Sequence, residues 1–286
     1  MLTDSEFDMA QRFEISEPAT RFPFGKNWQR YLRLLDEERI AEAENSLCSM
    51  LEIENLAGKS FLDVGCGSGL FSLAAMRKGA TRVHSFDYDP HSGACARELK
   101  HRYFPDANFW TIQQGDVLDS AYLSSLGQFD YVYSWGVLHH TGNLWGALEN
   151  VVPLVTCKGK LFIAVYNDQG SLSRVWHGVK ELYNRGTPWR MLLIPAFGSY
   201  FIGKALVKDL LISHKNPLAR YRQRKQSRGM AYWTDLRDWL GGYPFEVARP
   251  EAVLDFFRLR RFELVKLTTA GGGHWNNEFV FSKSAE

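Results

Sequence analysis

The stretch LDVGCGSG at residues 62–69 decides the fold of this chain. Its apolar start is typical of a buried strand, and Gly65, Gly67 and Gly69 then form a turn that leads into a helical pattern. Glycines in such a turn let the backbone approach a ligand closely, while the N–H groups of the following helix point at the anionic part of the ligand. The dinucleotide motif G-x-G-x-x-G requires glycine where this chain has Leu70, so the spacing argues against a dinucleotide.

Short apolar runs alternate with helical stretches from residue 59 onward. We predict strands at residues 60–64, 82–86, 108–113, 129–134 and 160–166. Strands that alternate with helices are typical of a parallel sheet in the α/β class. Two further strand-like runs, at 262–269 and 278–281, are separated by a glycine-rich loop and predict an antiparallel pair.

The same pattern divides the chain into four segments. Residues 1–57 predict an N-terminal helical cap, and residues 58–167 predict the ligand-binding core. The alternation breaks after the fifth strand for longer than a usual connection, so residues 168–260 predict a mainly helical insertion that serves as lid or substrate region. Residues 261–286 supply the C-terminal strands that complete the core sheet.

Composition excludes several classes of protein. Hydrophobic residues make up 45% of the 286 residues and charged residues 23%, which excludes wholesale disorder. A net charge of +2 gives no overall field for nucleic acid. The four cysteines lack paired spacing, which argues against a zinc site or disulfide framework and favours reduced thiols in a cytoplasmic protein. We expect no secretory signal in the first ten residues and no transmembrane helix.

Carboxylates end the second and third predicted strands. A carboxylate at Asp87 can accept hydrogen bonds from both hydroxyls of a ribose. Asp116 can accept from an adenine amino group while Val117 packs on the ring. Taken singly, each aspartate is as often a helix cap or a turn residue. Their coincidence with the glycine turn favours a ligand that contains adenosine.

Four motifs in order carry a resemblance to a known family: LDVGCGSG, SFDYDP, QQGDVLD and FDYVYSWGVLHH. Residues 59–167, which contain them, resemble the class I methyltransferases that depend on S-adenosylmethionine (SAM), especially the broad small-molecule group. The resemblance implies SAM as cofactor, and a Rossmann-like seven-stranded, mostly parallel sheet with an antiparallel last strand. It implies no metal.

The resemblance also implies which residues surround the cofactor. The strand ends would hold the methionine moiety, the ribose, the adenine and the reactive sulfonium in turn. The expected residues are Asp63, Gly65 and Gly67 for methionine, Asp87 for ribose, Asp116 and Val117 for adenine, and Ser134 and Trp135 beside the sulfonium, with Gly69 and Tyr88 adjoining them.

Three histidines are candidate general bases for the transfer. His139 and His140 follow the fourth strand, where an imidazole that titrates near neutral pH can accept a hydroxyl proton, and we favour His140. Paired histidines recur at this place in the family with different substrates, which also fits a partly structural role. His274 lies in the loop GGGHWNN at 271–277, which fits either a shaped binding loop or a hairpin turn.

Two aromatic stretches are candidates for covering the site. Residues 22–28, FPFGKNW, can fold over the cofactor or simply pack in the core. Residues 238–246, DWLGGYPFE, suit a lid or pocket wall, or a turn between two packed helices.

The acceptor is predicted to be an oxygen nucleophile on a small molecule, such as a glycan or lipid-linked precursor. The fourth strand lacks the N-P-P-Y type sequence of enzymes that methylate adenine or glutamine amino groups, and lone Cys157 lacks the context of cytosine-C5 enzymes. RNA is the rival acceptor, because FDYVYSWGVLHH also resembles the bacterial enzymes that transfer a carboxymethyl group to the tRNA wobble uridine. A catalytically silent SAM-binding module is a third alternative.

Residues 191–228 are the candidate surface for a larger partner. An apolar run at 191–203 precedes a stretch with many lysines and arginines and one acid, Asp209. Together they predict an amphipathic element at an anionic membrane surface, a site for nucleic-acid phosphates, or a solvated helix face.

Overall fold

A computed structural model of the chain describes residues 22–207, 232–271, 273 and 275–285. The described helices are α1 (Gly25–Leu32), α2 (Glu37–Leu51), α3 (Leu70–Arg77), α4 (Pro90–Tyr103), α5 (Ser120–Leu126), α6 (Leu144–Val151), α7 (Ser171–Asn184), α8 (Thr187–Val207), α9 (Tyr232–Gly241) and α10 (Pro250–Arg258). The described strands are β1 (Ser60–Val64), β2 (Arg82–Asp87), β3 (Trp110–Gln114), β4 (Phe129–Trp135), β5 (Val155–Tyr166), β6 (Phe262–Thr268) and β7 (Asn276–Lys283).

The strands form one sheet in the order β3-β2-β1-β4-β5-β7-β6. Every pair from β3 to β5 is parallel, and β7 is antiparallel to both β5 and β6. This arrangement confirms the predicted seven-stranded α/β sheet with an antiparallel last strand. The sequence did not predict that β7 inserts between β5 and β6, which leaves β6 at the edge.

Several strand boundaries differ from the sequence prediction, and β3 begins two residues later than predicted, at Trp110. β5 begins at Val155 instead of residue 160, because its first residues pair with the start of β4 across a register shift. Gly159 lies at that irregularity, where a Cβ would come within 2.9 Å of the Asp130 carbonyl oxygen. β7 begins two residues earlier than predicted, at Asn276, and reaches Lys283.

Helices cover both faces of the sheet. α6 and α10 bury their apolar sides on one face, where Phe257 is fully buried, and α2, α3 and α4 cover the other, where Leu47 is fully buried. α7, α8 and α9 form a smaller cluster of their own around Tyr183 and Leu240. The N-terminal helices and the helical insertion after β5 are therefore both present, while the exact limits of the four predicted segments stay a prediction. In the described part of the chain, no helix combines the length and the hydropathy needed to cross a membrane.

Asp89 joins the N-terminal segment to the core. Its Oδ1 accepts a hydrogen bond from the backbone N–H of His91 at 2.9 Å and caps α4. Its Oδ2 accepts from the backbone N–H of Gly25 at 2.8 Å, at the start of α1. The contact is close, since a Cβ on Gly25 would lie 2.5 Å from the Cβ of His91. One carboxylate therefore satisfies N–H groups at the starts of two helices.

Replacing Asp89 with alanine should remove both caps. We expect Asp89→Ala to lower the free energy of unfolding by about 2 kcal/mol, about 1 kcal/mol for each helix start. Asp119 is the matched control, because its carboxylate caps α5 alone through the N–H of Tyr122. Urea unfolding followed by circular dichroism should show about half the loss for Asp119→Ala. Equal losses in the two variants would mean that the Gly25 contact adds no stability.

Candidate active site

The glycine turn after β1 is wedged between two other parts of the core. Gly65, Gly67 and Gly69 have φ angles of 75°, 54° and 80°, which strongly favour glycine. A Cβ on Gly65 would lie 2.4 Å from Val137 Cγ1, and a Cβ on Gly69 would lie 2.7 Å from the Cα of Ala96 in α4. The backbone here therefore has room for no side chain, and it stays bare at the carboxyl edge of the sheet.

Trp28 in α1 packs over this turn. A Cβ on Gly67 would lie 2.9 Å from Trp28 Cε2, so the indole covers the middle of the turn. The Trp28 ring also contacts the Tyr31 ring edge-on at 5.9 Å. Trp28, the last residue of the FPFGKNW stretch, thus lies over the predicted cofactor turn.

Asp63 is buried in a hydrogen-bond chain beneath the turn. Trp110 Nε1 donates to Ser85 Oγ at 2.9 Å, Ser85 and Ser72 hydroxyls are 2.7 Å apart, and Ser72 Oγ donates to Asp63 Oδ2 at 2.5 Å. Burial raises the pKa of Asp63 to about 7. These contacts hold α3 against β2, so Asp63 supports the turn from within the core.

Asp87 is tied to the turn from the end of β2. Its Oδ2 accepts from the backbone N–H of Gly67 at 2.9 Å and its Oδ1 from that of Asp89 at 2.8 Å. Burial raises the pKa of Asp87 to about 6. Each carboxylate oxygen can accept a second hydrogen bond, so hydroxyl donors of a ligand fit here. The neighbouring Tyr88 side chain is exposed.

Asp116 and Val117 lie at the end of β3. Asp116 Oδ1 accepts from the Leu118 N–H at 3.0 Å, and the residue is half-buried. Val117 is buried among the core residues, and its carbonyl accepts from Asn150 Nδ2 at 2.9 Å. Asp116 thus forms the local turn contact that the sequence allowed.

Ser134 and Trp135 end β4 in two different environments. Ser134 is fully buried, and its hydroxyl donates to the Val64 carbonyl at 3.1 Å, which ties β4 to β1. Trp135 is partly exposed, and its indole N–H donates to Glu278 Oε1 on β7 at 2.8 Å. Trp135 therefore offers its ring at the sheet edge, whereas Ser134 acts inside the sheet.

Both histidines after β4 are held neutral. His140 Nδ1 lies 2.6 Å from the Pro244 carbonyl, which can only accept, so Nδ1 carries the proton and Nε2 the lone pair. Burial, followed by the charge of Lys180, lowers the pKa of His140 to about 3. His139 is 1% exposed, its ring bonds to the Ala164 carbonyl, and its Nδ1 has no hydrogen-bond partner among the described residues. Burial, with the charges of His140 and Lys180, lowers the pKa of His139 well below its usual value.

These histidines belong to a group of four side chains whose rings contact one another in tilted or edge-on orientations, His139, His140, Tyr166 and Phe245, which we call the ring cluster. The Tyr166 ring lies 4.1 Å from that of His139, 5.5 Å from that of His140 and 5.2 Å from that of Phe245, centroid to centroid. Phe24 adds a fifth ring 5.3 Å from His140. The ring cluster joins the ends of β4 and β5 to the segment that follows α9.

Glu246 fixes that segment on the loop after β4. Its two carboxylate oxygens accept from the backbone N–H groups of Gly142 and Leu144 at 3.0 and 2.9 Å. Its own N–H donates to the His139 carbonyl at 2.9 Å. Burial raises the pKa of Glu246 to about 7. Part of the predicted lid, residues 238–246, is thus bonded directly to the histidine turn.

Lys180 in α7 is a further candidate site residue, which the sequence did not single out. Its side chain is fully buried, and its Nζ donates to the Trp239 carbonyl and lies 5.9, 4.8 and 4.9 Å from the ring centroids of Tyr166, Trp239 and Phe245. Burial lowers the pKa of Lys180 to about 7. The signal in the sequence was its helical spacing from Trp176 and Tyr183, which places a lysine on an otherwise apolar buried face.

The loop after β6 is anchored next to the ring cluster. Asn277 on β7 donates from Nδ2 to Asn167 Oδ1 at 3.0 Å and accepts from the Ala270 N–H at 2.9 Å. Gly272 and the candidate base His274 lie outside the described residues. So do residues 208–231, which contain most of the predicted basic surface.

Comparison with protein families places a known domain on this core. The family model described as a methyltransferase domain matches residues 62–161. The ribosomal protein L11 methyltransferase of Photobacterium profundum is 40% identical over 58 residues, which is 20% of each chain. The protein of that name from Legionella pneumophila (strain Paris) is 50% identical over 48 residues, 16% of this chain and 17% of the relative. The chain thus spans a fifth or less of the curated relatives it matches.

Solved structures resemble the chain over a much greater length. Magnesium protoporphyrin IX methyltransferase from Synechocystis PCC 6803, solved with bound SAH, gives a TM-score of 0.51 at 14% identity and covers 98% of this chain and 95% of its own. An O-methyltransferase family protein from Burkholderia thailandensis gives 0.52 at 12% identity, with 86% and 57% covered. The [4+2]-cyclase SpnF gives 0.52 at 10% identity, with 85% and 80% covered. At these identities the likeness shows the fold alone.

Proposed function

Since residues 62–161 of this chain are a methyltransferase domain of the class I, SAM-dependent family, we propose that the protein transfers a methyl group from SAM to an oxygen nucleophile of a small molecule. The observation that carries the proposal is the bare glycine turn bonded through Gly67 to the Asp87 carboxylate, beside a polar ring cluster at the same sheet edge. A cofactor site and an acceptor site would then lie next to each other.

The residues present fit the cofactor. In the proposal, the glycine turn and the start of α3 face the methionine moiety, and Asp87 accepts from the ribose hydroxyls. Asp116 accepts from the adenine amino group, and Tyr88 and Trp135 flank the cofactor from the exposed side. Asp63 and Ser134 act indirectly, because both are buried and Asp63 Oδ2 and the Ser134 hydroxyl already form hydrogen bonds inside the core. Trp28 closes the turn from above.

Bound SAM supplies an activated methyl group, so the protein has to align the acceptor and exclude water. The ring cluster is suited to that task, because it offers apolar ring faces and neutral imidazole nitrogens. His140 Nε2 would accept a hydrogen bond from a donor group of the acceptor molecule and so help to orient its attacking oxygen. The low pKa values of both histidines make them weak proton acceptors, so we expect orientation to outweigh general-base catalysis.

Asp87 tests the cofactor assignment. Asp87→Ala should weaken SAM binding at least tenfold, because two hydrogen bonds to a carboxylate contribute roughly 2 kcal/mol or more. Wild-type affinity should also fall as the pH drops through the Asp87 pKa of about 6, since the protonated group loses acceptor capacity. Asp87→Asn should show no such dependence. Isothermal titration calorimetry measures these affinities, with circular dichroism as the check on folding.

Asp130 is the matched control. This carboxylate lies at the opposite end of β4, where it binds the N–H and hydroxyl of Ser60. Asp130→Ala should therefore leave SAM affinity within about twofold of the wild type. Unchanged affinity in Asp87→Ala would overturn the ribose assignment.

The function itself is tested by transfer of a labelled methyl group. Purified protein is incubated with methyl-labelled SAM and fractionated cell extract, with and without ribonuclease, and labelled products are separated by size. We expect label in a ribonuclease-resistant small molecule as a methyl ether or ester, and reduced turnover in His140→Ala at saturating SAM. Label that ribonuclease removes would favour the RNA alternative, and SAM binding without any transfer would favour the silent module.

The exposed face of α8 supports a finer proposal, contact with an anionic membrane surface on which a lipid-linked acceptor would lie. One side of α8 packs into the insertion through Leu193, Phe197 and Phe201. The other side exposes large apolar side chains, namely Trp189, Met191, Leu192, Tyr200, Ile202, Leu206 and Val207. Residues 182–234 contain ten lysines and arginines and one acid. Apolar area combined with positive charge favours an anionic lipid surface.

Vesicle sedimentation tests this surface. The wild type should bind phosphatidylcholine vesicles only when phosphatidylglycerol is added, and salt should weaken binding. The double change Met191→Glu and Leu192→Glu should abolish it, while Leu259→Glu, at an equally exposed leucine elsewhere, should retain it. Vesicle binding that does not depend on phosphatidylglycerol would contradict the proposal. Self-association lost in the double variant, without vesicle binding, would assign the face to a second copy of the chain.

A further inference from the structure

Lys180 is a buried cation that no carboxylate neutralises among the side chains that the structure describes. Of the nearby acids whose side chains are described, Glu181 pairs with Arg185, and Glu246 binds two backbone N–H groups. The Nζ of Lys180 has one carbonyl, that of Trp239, and three ring faces around it. The carbonyl belongs to the last turn of α9, whose dipole is negative at that end. These contacts moderate the charge without cancelling it.

A positive charge in a buried site extends its effect to its neighbours, because little water screens it. The ring cluster lies within that range, since the Lys180 charge is among the causes that lower the pKa of both His139 and His140. Both imidazoles are uncharged, so they add no second positive charge and no counter-charge. Among the described side chains that pack on the ring cluster, Lys180 therefore supplies the positive charge.

We propose that Lys180 selects an acceptor whose attacking atom is an oxygen already ionised near neutral pH, above all a carboxylate, and disfavours an amine. The proposal rests on the proposed methyl transfer and names its acceptor class. Lys180 acts as a positioning residue: its charge reaches the ring cluster across Tyr166 and Phe245, whose ring centroids lie 5.9 and 4.9 Å from Nζ.

The change in charge during methyl transfer favours a carboxylate acceptor over an amine acceptor. When a carboxylate oxygen attacks, a C–O bond forms, the C–S bond breaks and its electron pair stays on sulfur. The positive sulfonium and the negative carboxylate thus become a neutral thioether and a neutral ester. A neutral amine would instead become a positively charged methylammonium beside Lys180, where like charges repel. No proton has to be removed from a carboxylate, which suits a site whose two histidines are weak bases.

Binding of matched probes tests the selection. Benzoate, benzamide and benzylamine share a ring that fits an aromatic site and differ in charge. Ligand-detected nuclear magnetic resonance, with and without saturating SAH, should show benzoate binding to the wild type at least about tenfold more tightly than benzamide, and no binding of benzylamine. Lys180→Met should lower benzoate affinity about tenfold and change benzamide affinity less than about twofold. Lys180→Arg should keep the benzoate preference.

The pH dependence of benzoate binding distinguishes an effect of the Lys180 charge from an effect of the shape of its side chain. Benzoate affinity should fall as the pH rises from 6 to 8, since Lys180 loses its charge around its pKa of about 7. In Lys180→Arg the affinity should stay high and flat, and in Lys180→Met low and flat. Two carboxyls at this edge also have a pKa of about 7, Asp63 beneath the glycine turn and Glu246 on the ring cluster. The pH dependence should survive in Glu246→Gln.

Several outcomes overturn the proposal. Benzoate binding no tighter than benzamide binding, or equally tight in Lys180→Met, would remove the role of the charge. If circular dichroism shows that Lys180→Met does not fold, the pH profile of benzoate affinity in Lys180→Arg provides the test. A flat profile would support the proposal, and a profile that falls between pH 6 and 8, as in the wild type, would refute it. Failure of SAH to bind would instead contradict the proposed function. The two failures can be told apart, because the probe preference is also measured without SAH.

Discussion

The contact on which the rest of the site depends is the close approach of a bare backbone turn to three different elements. Gly65 touches the loop after β4, Gly67 lies under Trp28 of α1, and Gly69 meets α4. Only a residue without a Cβ permits these distances at positive φ. The same turn gives the N–H of Gly67 to Asp87. The absence of three side chains therefore allows β2, α1 and α4 to lie as close to the end of β1 as they do.

Ionisable groups with shifted pKa values concentrate at the same edge. Asp63, Asp87 and Glu246 are carboxyls whose pKa burial raises to between about 6 and 7, and burial lowers the pKa of Lys180 to about 7. Burying such groups lowers stability unless hydrogen bonds compensate, and each of the four has at least one. Folding alone does not require charges here, since well-packed apolar groups in such positions are often at least as stabilising. Their concentration at one edge is typical of a functional site.

The sequence predicted the parts of this architecture that local patterns encode. Buried parallel strands have short apolar runs, and Asp-Pro marks the start of α4, so both were found directly. The insertion of β7 between β5 and β6 was missed because pairing between distant strands leaves no local pattern. Lys180 was missed because its role depends on Trp239 and Phe245, which lie far along the chain. His139 and His140 were found by position, but their low pKa values follow from burial, which the motif does not reveal.

Several residues of the candidate acceptor site lie outside the part of the chain that matches the family. The family match ends at residue 161, whereas Tyr166, Lys180 and Phe245 all lie beyond it. The fold within residues 62–161 is compatible with different reactions, since a [4+2]-cyclase shares the overall architecture with methyltransferases. What distinguishes one such protein from another must therefore lie in the elements packed on the carboxyl edge. In this chain those elements bring a buried lysine to the ring of Tyr166, which also contacts two neutral imidazoles, and under the proposed function this charge would favour a negatively charged acceptor.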